Sequence, residues 1–510
     1  MKSLSRSLIL GLIGLSLSLL AGAATERNIL LIVTDDQSQT LGCYGDPVAA
    51  TPAIDGLAKQ STVFTRAYAT TASCSASRSV ILSGVYNHAN GQFGHAHNYH
   101  KFTTFQDVVS LSLPNALGRL GYRTARVGKY HVAPESVYRF QTVIQDKFPG
   151  RNTVAMADAC ADFIGAEDDR PFFLYYATSD PHRGPKNDTS SGDRLPANLF
   201  GNLPDDGEFG GVEEVFYEPD DVVVPPFLPD TPESRKELAQ YYQAVARVDQ
   251  GVARLFKHMK AAGLFEKTMI VFTADHGMAF PGAKTTTYEA GLQVPFVVYN
   301  PYGKRQHVKN DALINHADIA PSLIDFAQGL DRELNRPKAW IDPADYWAQY
   351  PEQALDNRNA GLPFDRYHGR SWLAQLGTTD AGDRNMTFAS HTFHEITMYY
   401  PMRVVLDRDY KLIWNVAHDL AYPFASDLWA ASTWQAQFEQ GEDTPYGTKT
   451  VGDYVHRPAF ELFDLRVDPW EGNNLAEDPK YADVLASYKE KLKTFQRETD
   501  DPWILKWRYE

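Results

Sequence analysis

Runs of consecutive apolar residues alternate along the chain with segments of helical periodicity. The runs are rich in β-branched or aromatic residues, which is typical of strands buried on both faces of a sheet. They span residues 28–33, 124–127, 171–176, 269–273 and 294–299. Apolar residues recur at helical spacing in residues 113–120, 234–262 and 313–326. This alternation predicts an α/β fold with a large doubly wound mixed sheet flanked by helices.

The pattern changes near residue 380. Short segments with the composition of antiparallel strands lie at residues 386–390, 402–406 and 410–414. An amphipathic helix is predicted for residues 481–497. We therefore predict a large domain over residues 25–375 and a smaller C-terminal α+β subdomain over residues 380–510, built on an antiparallel sheet.

Length and charge narrow the class of protein. At 510 residues the chain is too long for one ordinary core. Its formal net charge of −15 argues against nucleic acid as a partner, because a nucleic-acid binder carries a basic surface. An enzyme of polyanions with this charge must focus its basic groups in a pocket, since the overall field repels the ligand.

Residues 1–24 have the pattern of a secretory signal. Lys2 and Arg6 precede an apolar run over residues 8–20, and small residues follow at 21–23. The alternative, a membrane anchor, needs a longer run. We predict an exported protein, periplasmic or secreted, without stable membrane association.

Only three cysteines are present, so a disulfide framework is excluded and a single Cys43–Cys160 pair stays open.

Polar side chains follow the predicted strands at their carboxyl ends. The adjacent acids Asp35 and Asp36 come after residues 28–33, and Asp275 comes after residues 269–273. Sheets of this kind bind ligands at that edge. Two adjacent carboxylates repel each other unless a cation lies between them. A metal site is therefore one interpretation, and a solvated turn is the other.

Two further segments carry candidate chemistry. In residues 72–79 a thiol, Cys74, and a guanidinium, Arg78, lie four residues apart, which places them on one face if a helix begins near residue 75. A helix N-terminus suits an anion, although the segment could also be an ordinary serine-rich cap. The loop over residues 91–100, with His95, His97 and His100, could bind metal or substrate, or be solvated.

Five motifs, in order, resemble those of the formylglycine-dependent sulfatases, in the alkaline phosphatase superfamily. In chain order they are residues 41–45, Cys-x-Ala-Ser-Arg at 74–78, Gly-Lys-Tyr-His at 128–131, Asp-Pro-His at 180–182 and residues 461–471. The resemblance implies that residues 25–375 form the catalytic domain and that the C-terminal subdomain contributes to the substrate pocket. Within that family, residues 129–135 and 394–403 most resemble N-sulfoglucosamine sulfohydrolases, a branch that is similar to ulvan-active bacterial sulfatases.

The resemblance implies a modified residue and a metal. Cys74 would be oxidised to 3-oxoalanine (formylglycine) by a formylglycine-generating enzyme, which is then a partner of this chain. One divalent ion, Ca²⁺ by analogy, would be bound by Asp35, Asp36, Cys74, Asp275 and His276. Sulfamidases have Asn at the position of His276. Because a His nitrogen is a softer donor, Mn²⁺ and Mg²⁺ stay open.

The resemblance also implies the roles of the basic residues. The hydrated aldehyde would attack sulfur, while Arg78 and Lys129 neutralise the sulfate oxygens. His131 would take a proton as sulfate is expelled; an extended backbone would point it to the same side as Lys129. His182 and Lys284 would protonate the leaving group.

The substrate implied is a sulfated glycan. For an exported enzyme we expect hydrolysis of sulfate from an algal polysaccharide such as ulvan or its oligosaccharides, with N-sulfoglucosamine of heparan-type glycans as the alternative. A phosphonate or phosphodiester hydrolase of the same superfamily is a second alternative. A non-catalytic glycan-binding protein is the third, but a binder needs no nucleophile such as Cys74.

Overall fold

The structure, a computed structural model, describes residues 27–97, 101–144, 150–184, 200–202, 209–334 and 366–509. The predicted secretory signal over residues 1–24 and the loop histidine His100 lie outside these residues. Among the helices that are described, none combines the length and the apolar character needed to cross a membrane.

Strands form at every segment predicted to be one, and further short strands lie where none was predicted. In chain order they are β1 (Asn28–Thr34), β2 (Thr62–Phe64), β3 (Ala67–Tyr68), β4 (Arg123–Gly128), β5 (Thr142–Val143), β6 (Phe172–Ala177), β7 (Thr268–Ala274), β8 (Gln293–Val294), β9 (Phe296–Tyr299), β10 (Val308–Asn310), β11 (Ile314–Asn315), β12 (Met386–Phe393), β13 (Tyr399–Asp407), β14 (Tyr410–Asn415), β15 (Pro445–Tyr446), β16 (Lys449–Thr450) and β17 (Phe460–Asp464).

The central sheet has eight strands in the order β10-β2-β9-β7-β1-β6-β4-β5. Strand β1 is parallel to both β6 and β7, whereas β9 is antiparallel to β7. The sheet is therefore mixed, as predicted. The single strand predicted for residues 294–299 is divided at Pro295, because proline has no N–H to donate to the ladder: β8 pairs with β3 in a separate small sheet, and β9 joins the central one.

Helices cover both faces of the sheet. In chain order they are α1 (Pro52–Ala58), α2 (Cys74–Ser83), α3 (Asn87–Asn90), α4 (Leu113–Arg119), α5 (Thr153–Asp158), α6 (Ala161–Ile164), α7 (Pro232–Ala261), α8 (Glu289–Leu292), α9 (Ile319–Leu334), α10 (Ser426–Trp429), α11 (Ser432–Phe438), α12 (Val451–Val455), α13 (Ala482–Glu498) and α14 (Lys506–Tyr509). Alternate residues of β1 enter two apolar clusters, Leu30 on the α7 side and Leu31 on the other.

The helix predicted for residues 313–326 begins later than expected. Residues 314 and 315 form β11, and the α-helix starts only at Ile319. The cause is local: the Asn315 side chain accepts a hydrogen bond from Ala317, and Asp318 accepts one from the Asn315 N–H. This capping box fixes a short 3₁₀ turn ahead of α9.

A second sheet follows the central one in the chain. Its strands are antiparallel in the order β12-β13-β14-β17. Helix α13, predicted for residues 481–497, packs on this sheet through Leu492 and Phe495 against Val405 and Leu412. The antiparallel sheet with its closing helix is thus confirmed, while the boundary between residues 375 and 380 stays a prediction.

Cys43 and Cys160 are free thiols, so the pair that the sequence left open is not formed.

Candidate active site

The acidic residues lie close together because they follow the ends of two neighbouring strands, β1 and β7. Thr34 at the end of β1 lies opposite Ala274 at the end of β7. The residues that follow are therefore adjacent in space. The Asp275 carboxylate accepts hydrogen bonds at 2.9 Å from the backbone N–H groups of Asp36 and His276. All of these side chains are fully buried.

Cys74 is the first residue of α2 and lies beside Asp36, Asp275 and His276, the residues that we call the acidic edge. Its Sγ lies 3.3 Å from His276 Nε2 and 3.7 Å from Asp36 Oδ1. Small side chains let the helix enter so deeply that all ten of its residues are buried. Ser77 fixes the helix against β7, because its hydroxyl donates to the Asp275 carbonyl at 2.5 Å.

Arg78 lies one helical turn after Cys74 and is fully buried. Its Nε donates to Asp275 at 3.0 Å and a terminal nitrogen donates to Asp35 at 2.9 Å. The other terminal nitrogen donates to the carbonyl of Lys129 at 3.1 Å and to Tyr175 at 3.2 Å. The planar guanidinium thus joins the ends of β1, β4 and β7 into one frame.

Lys129 and His131 lie in the turn that follows β4. Gly128 makes that turn with φ of 76°, and a Cβ there would lie 2.1 Å from the carbonyl oxygen of Ala177, so only glycine fits. The Lys129 ammonium forms an ion pair with Asp35. His131 has φ of 48°, so the extended backbone expected between the two residues is wrong, although both side chains reach the site.

Lys284 is the centre of a second polar group. Its ammonium donates to Asp36 at 2.9 Å, to His182 at 3.0 Å and to Asp427 at 2.8 Å. These partners use all three N–H donors of the ammonium. Sequence reasoning missed Asp427, which lies in the first turn of α10 in a segment without a recognisable motif.

Three imidazoles, which we call the histidine cluster, lie close to Cys74: His95, His97 and His131. One ring nitrogen from each is within 4.8 Å of the others. His394, which sequence reasoning also missed as an individual residue, packs against His95 with ring centroids 3.7 Å apart and the rings tilted by 56°. Its ring nitrogen also hydrogen-bonds with Ser73, the N-cap residue of α2, at 3.1 Å.

The charges around residue 74 favour a negative group there. Burial alone would raise the pKa of the Cys74 thiol, but Lys129, Lys284 and His276 hold it well below its usual value. For His276 burial is opposed by Asp275 and Asp36, which raise its pKa to about 10. Burial lowers the pKa of His131 to about 4, despite a hydrogen bond to Cys74, so this imidazole is neutral at pH 7.

The acidic edge fits a divalent cation. Ligand atoms of Asp36, Cys74, Asp275 and His276 all lie within 4.8 Å of one another, and every one is buried. Asp35 falls in a neighbouring group with Asp36 and His182. Carboxylate oxygens suit a hard ion, and converging buried acids are the arrangement that a cation stabilises. The structure therefore brings together the predicted ligand residues.

Comparison with known proteins identifies the family. Residues 27–330 match the family model for Sulfatase. The chain is 33% identical over 491 residues to N-sulphoglucosamine sulphohydrolase of Homo sapiens, an alignment that covers 94% of this chain and 92% of the human protein. It is 26% identical over 491 residues to an ulvan-active sulfatase of Formosa agariphila, covering 92% and 80% of the two chains.

Solved structures agree on the fold. BT4656 in complex with its substrate D-glucosamine-2-N,6-O-disulfate superposes with a TM-score of 0.61 at 20% identity, covering 94% of this chain and 99% of that chain. Members of the matched family generally use a formylglycine and a divalent metal. A family match over more than half of the residues, together with 33% identity over nearly the whole length, shows that this chain belongs to the sulfatase family.

Proposed function

We propose that this sulfatase is exported, carries formylglycine at position 74, and releases sulfate from a sulfated polysaccharide or its oligosaccharides. The observation that carries the proposal is the position of Cys74. The thiol lies at the N-terminus of a fully buried helix, within 3.7 Å of both His276 and Asp36, and one helical turn from Arg78. A cysteine that served only packing would not need these charged neighbours.

Asp35, Asp36, Asp275 and His276, together with residue 74, would hold the divalent ion. Ca²⁺ is the ion we propose, because three of these side chains offer carboxylate oxygens. The nitrogen of His276 keeps Mn²⁺ and Mg²⁺ as alternatives. When bound, the ion and the hydrated aldehyde would supply a hydroxyl group of lowered pKa as the nucleophile.

The basic residues have distinct tasks. Arg78 orients Asp35 and Asp275 through hydrogen bonds of 2.9 and 3.0 Å. Within the described part of the chain, Asp35 is the hydrogen-bond partner of the Lys129 ammonium, which leaves N–H donors for the oxygens of a sulfate group. Because its pKa is lowered to about 4, His131 is unprotonated at pH 7, and its ring can therefore accept a proton from residue 74.

The leaving group is assigned to the other side of the site. His182 Nε2 and the Lys284 ammonium lie 3.0 Å apart, and Asp427 accepts a hydrogen bond from that ammonium. We propose that this group protonates the departing sugar oxygen or nitrogen. His182 is partly exposed, as a residue that contacts substrate must be.

For the substrate, the sequence alone favoured ulvan. The greater identity to a relative named N-sulphoglucosamine sulphohydrolase, 33% against 26% over the same number of residues, supports N-sulfoglucosamine of a heparan-type glycan as the substrate. The ulvan-active relatives keep an O-sulfated algal glycan as the second candidate.

One experiment tests both the proposed formylglycine chemistry and the choice of substrate. The full chain is expressed with a formylglycine-generating enzyme, and sulfate release from heparan-type and ulvan oligosaccharides is compared at equal sulfate concentration. Peptide mass spectrometry shows whether residue 74 carries the aldehyde and whether residues 1–24 have been removed. A Cys74→Ala variant should release no sulfate while it keeps its thermal unfolding temperature.

Two results would contradict the proposal. An unmodified cysteine in active, exported protein would refute the formylglycine chemistry. Turnover of a phosphate diester or a phosphonate ester faster than the sulfate ester of the same aryl alcohol would make the chain a hydrolase of another ester class.

A further inference from the structure

A cavity of about 480 Å³ lies between distant parts of the chain. Most of its lining falls within residues 38–293, and the remainder is Leu465, Pro469 and Trp470. Trp470 is 36% exposed and Val223, which also lines the cavity, is 44% exposed, so the cavity is open to solvent. A volume of this size between two parts of a protein is typical of a small-ligand site.

The cavity is distinct from the catalytic centre. Ser38 and Met278, which line it, lie two residues beyond Asp36 and His276, and the Met278 N–H donates to the Ser38 hydroxyl at 3.0 Å. Among the described residues that line the cavity, none is a proposed catalytic or metal-binding residue. A ligand held there would therefore leave residue 74 accessible.

Arg66 gives the cavity hydrogen-bond donors that lack acceptors. Within the described part of the chain its guanidinium makes one hydrogen bond, of 3.4 Å to the carbonyl of Arg408, and forms no ion pair. A guanidinium has five N–H donors, so most of them are available to a ligand. The carboxylates of Asp46 and Glu289 also line the cavity, but protein groups already donate to both oxygens of each.

The remaining lining suits a sugar. Five aromatic side chains contribute to it: Tyr44, Tyr68, Phe227, Tyr242 and Trp470. Trp470 lies on Phe227 with ring centroids 6.0 Å apart and the planes inclined by 25°, which holds the indole in place. An aromatic ring offers a large apolar face, which matches the apolar face of a pyranose ring.

Two side-chain amides add hydrogen-bond acceptors. Gln39 and Gln293 both line the cavity, and their amide nitrogens donate to the carbonyl of Thr65 at 3.4 and 3.2 Å. These bonds fix the amides, whereas their oxygens have no partner among the described residues. Sugar hydroxyl groups can therefore donate to both oxygens.

We propose that the cavity is a second glycan site, which binds a uronate unit of the glycan outside the catalytic centre. The inference rests on the proposed function for the class of substrate, since heparan-type glycans and ulvan both contain uronic acids. A guanidinium binds a planar carboxylate through two parallel hydrogen bonds, which is the group that Arg66 lacks. A chain held at this second site has a raised local concentration at residue 74.

The test separates the two sites by the choice of glycan. The probe is an unsulfated tetrasaccharide of alternating glucuronate and N-acetylglucosamine, which has no sulfate group for the catalytic centre. Isothermal titration of the full chain measures its binding, and a tetrasaccharide with the carboxylates reduced to alcohols shows what the charge contributes.

The variants are Arg66→Met, which removes the donors, and Trp470→Leu, which removes the indole and keeps the test decisive if Arg66→Met fails to fold. Arg170→Met is the matched control, because it removes the same charge from a side chain that is 51% exposed and does not line the cavity. Thermal unfolding checks that each variant is folded.

We expect the acidic tetrasaccharide to bind the wild type and Arg170→Met equally, and Arg66→Met at least about tenfold more weakly, since hydrogen bonds between charged groups are the strong ones. Trp470→Leu should also bind it more weakly, and the reduced tetrasaccharide should bind the wild type as weakly as the acidic one binds Arg66→Met. In activity assays Arg66→Met should lower kcat/KM for the polymer by about tenfold and leave the rate on an aryl sulfate unchanged.

Equal affinity of the wild type and Arg66→Met for the acidic tetrasaccharide would overturn the proposal, and so would equal binding of the acidic and reduced tetrasaccharides. Failure of this site and failure of the proposed function are distinguishable. Binding through Arg66 in a protein that releases no sulfate would refute the proposed function alone, whereas sulfate release without binding of the tetrasaccharide would refute the second site alone.

Discussion

Replacing Asp427 by asparagine tests the leaving-group side of the site. The Lys284 ammonium donates to Asp36, His182 and Asp427 at 2.8 to 3.0 Å, so every donor has one acceptor. Asparagine keeps the shape of the side chain but removes its charge. Asp427 touches no reacting atom in this scheme, and its role is to position the Lys284 ammonium against His182.

The size of the effect follows from the burial of this ion pair. The Lys284 side chain is 1% exposed and that of Asp427 is 11% exposed. Although burial opposes it, Lys284 together with His182 lowers the pKa of Asp427 to about 2, so the carboxylate is ionised at pH 7. A hydrogen bond between charged groups contributes about 1.5–3 kcal/mol. If that contribution is expressed in the transition state, Asp427→Asn should lower kcat by about 10- to 100-fold.

The assay varies the leaving group. A sulfated aryl alcohol expels a stable phenolate and needs little protonation, whereas a sulfated sugar expels a poor leaving group and depends on the acid. We therefore expect the loss in kcat to be much larger for the sugar substrate than for the aryl sulfate. Asp419→Asn, at a side chain 94% exposed in the same region, is the matched control and should change neither rate.

Equal losses for the two substrates would refute the reasoning, because a general disturbance of the site would not distinguish leaving groups. The same conclusion would follow if Asp427→Asn kept full activity on the sugar. Thermal unfolding of the variant separates either outcome from a simple loss of structure.

Three further predictions concern stability. Arg78→Met leaves the carboxylates of Asp35 and Asp275 buried without their partner and should lower the free energy of unfolding by about 3–5 kcal/mol in urea titrations. Burial lowers the pKa of His88 to about 3, whereas the same side chain titrates near its ordinary value in the unfolded chain. As the pH falls from about 6.5 to about 3, the unfolded chain therefore binds one more proton than the folded one, and the free energy of unfolding should fall by about 1.4 kcal/mol per pH unit. The substitution His88→Asn should remove this slope. A calcium chelator should abolish sulfate release and lower the unfolding temperature, with recovery on adding Ca²⁺, since an ion at a hundredfold excess over its Kd contributes about 2.7 kcal/mol.

The acidic edge could be predicted because strand direction determines it. Once residues 28–33 and 269–273 are interpreted as buried parallel strands, their following residues must lie at the same edge of the sheet, and Asp36 and Asp275 do so. The position of Cys74 beside them depended on the resemblance to sulfatase motifs. Spacing alone placed Cys74 and Arg78 on one helix face but did not say what that face contacts.

Long-range partners could not be predicted in this way. Asp427 meets Lys284 across 143 positions of the chain, and no local pattern marks either residue as the partner of the other. His394 reaches Ser73 across 321 positions. Local chemistry explains the smaller errors: Pro295 divides one predicted strand, and the capping box at Asn315 delays one predicted helix.

The overall charge of the chain leaves one question, which is how a protein of net charge −15 accepts a sulfate anion. Four carboxylates meet at the site, those of Asp35, Asp36, Asp275 and Asp427, and three cations oppose them: Arg78, Lys129 and Lys284. The pKa of His276 is raised to about 10, so without an ion this imidazole is protonated and the set, with a neutral residue 74, has no net charge. A divalent ion that replaces the His276 proton at the acidic edge turns the balance to one positive charge. The proposed ion therefore serves to bind the anion as well as to activate the nucleophile, because the amino acids alone give the pocket no net positive charge.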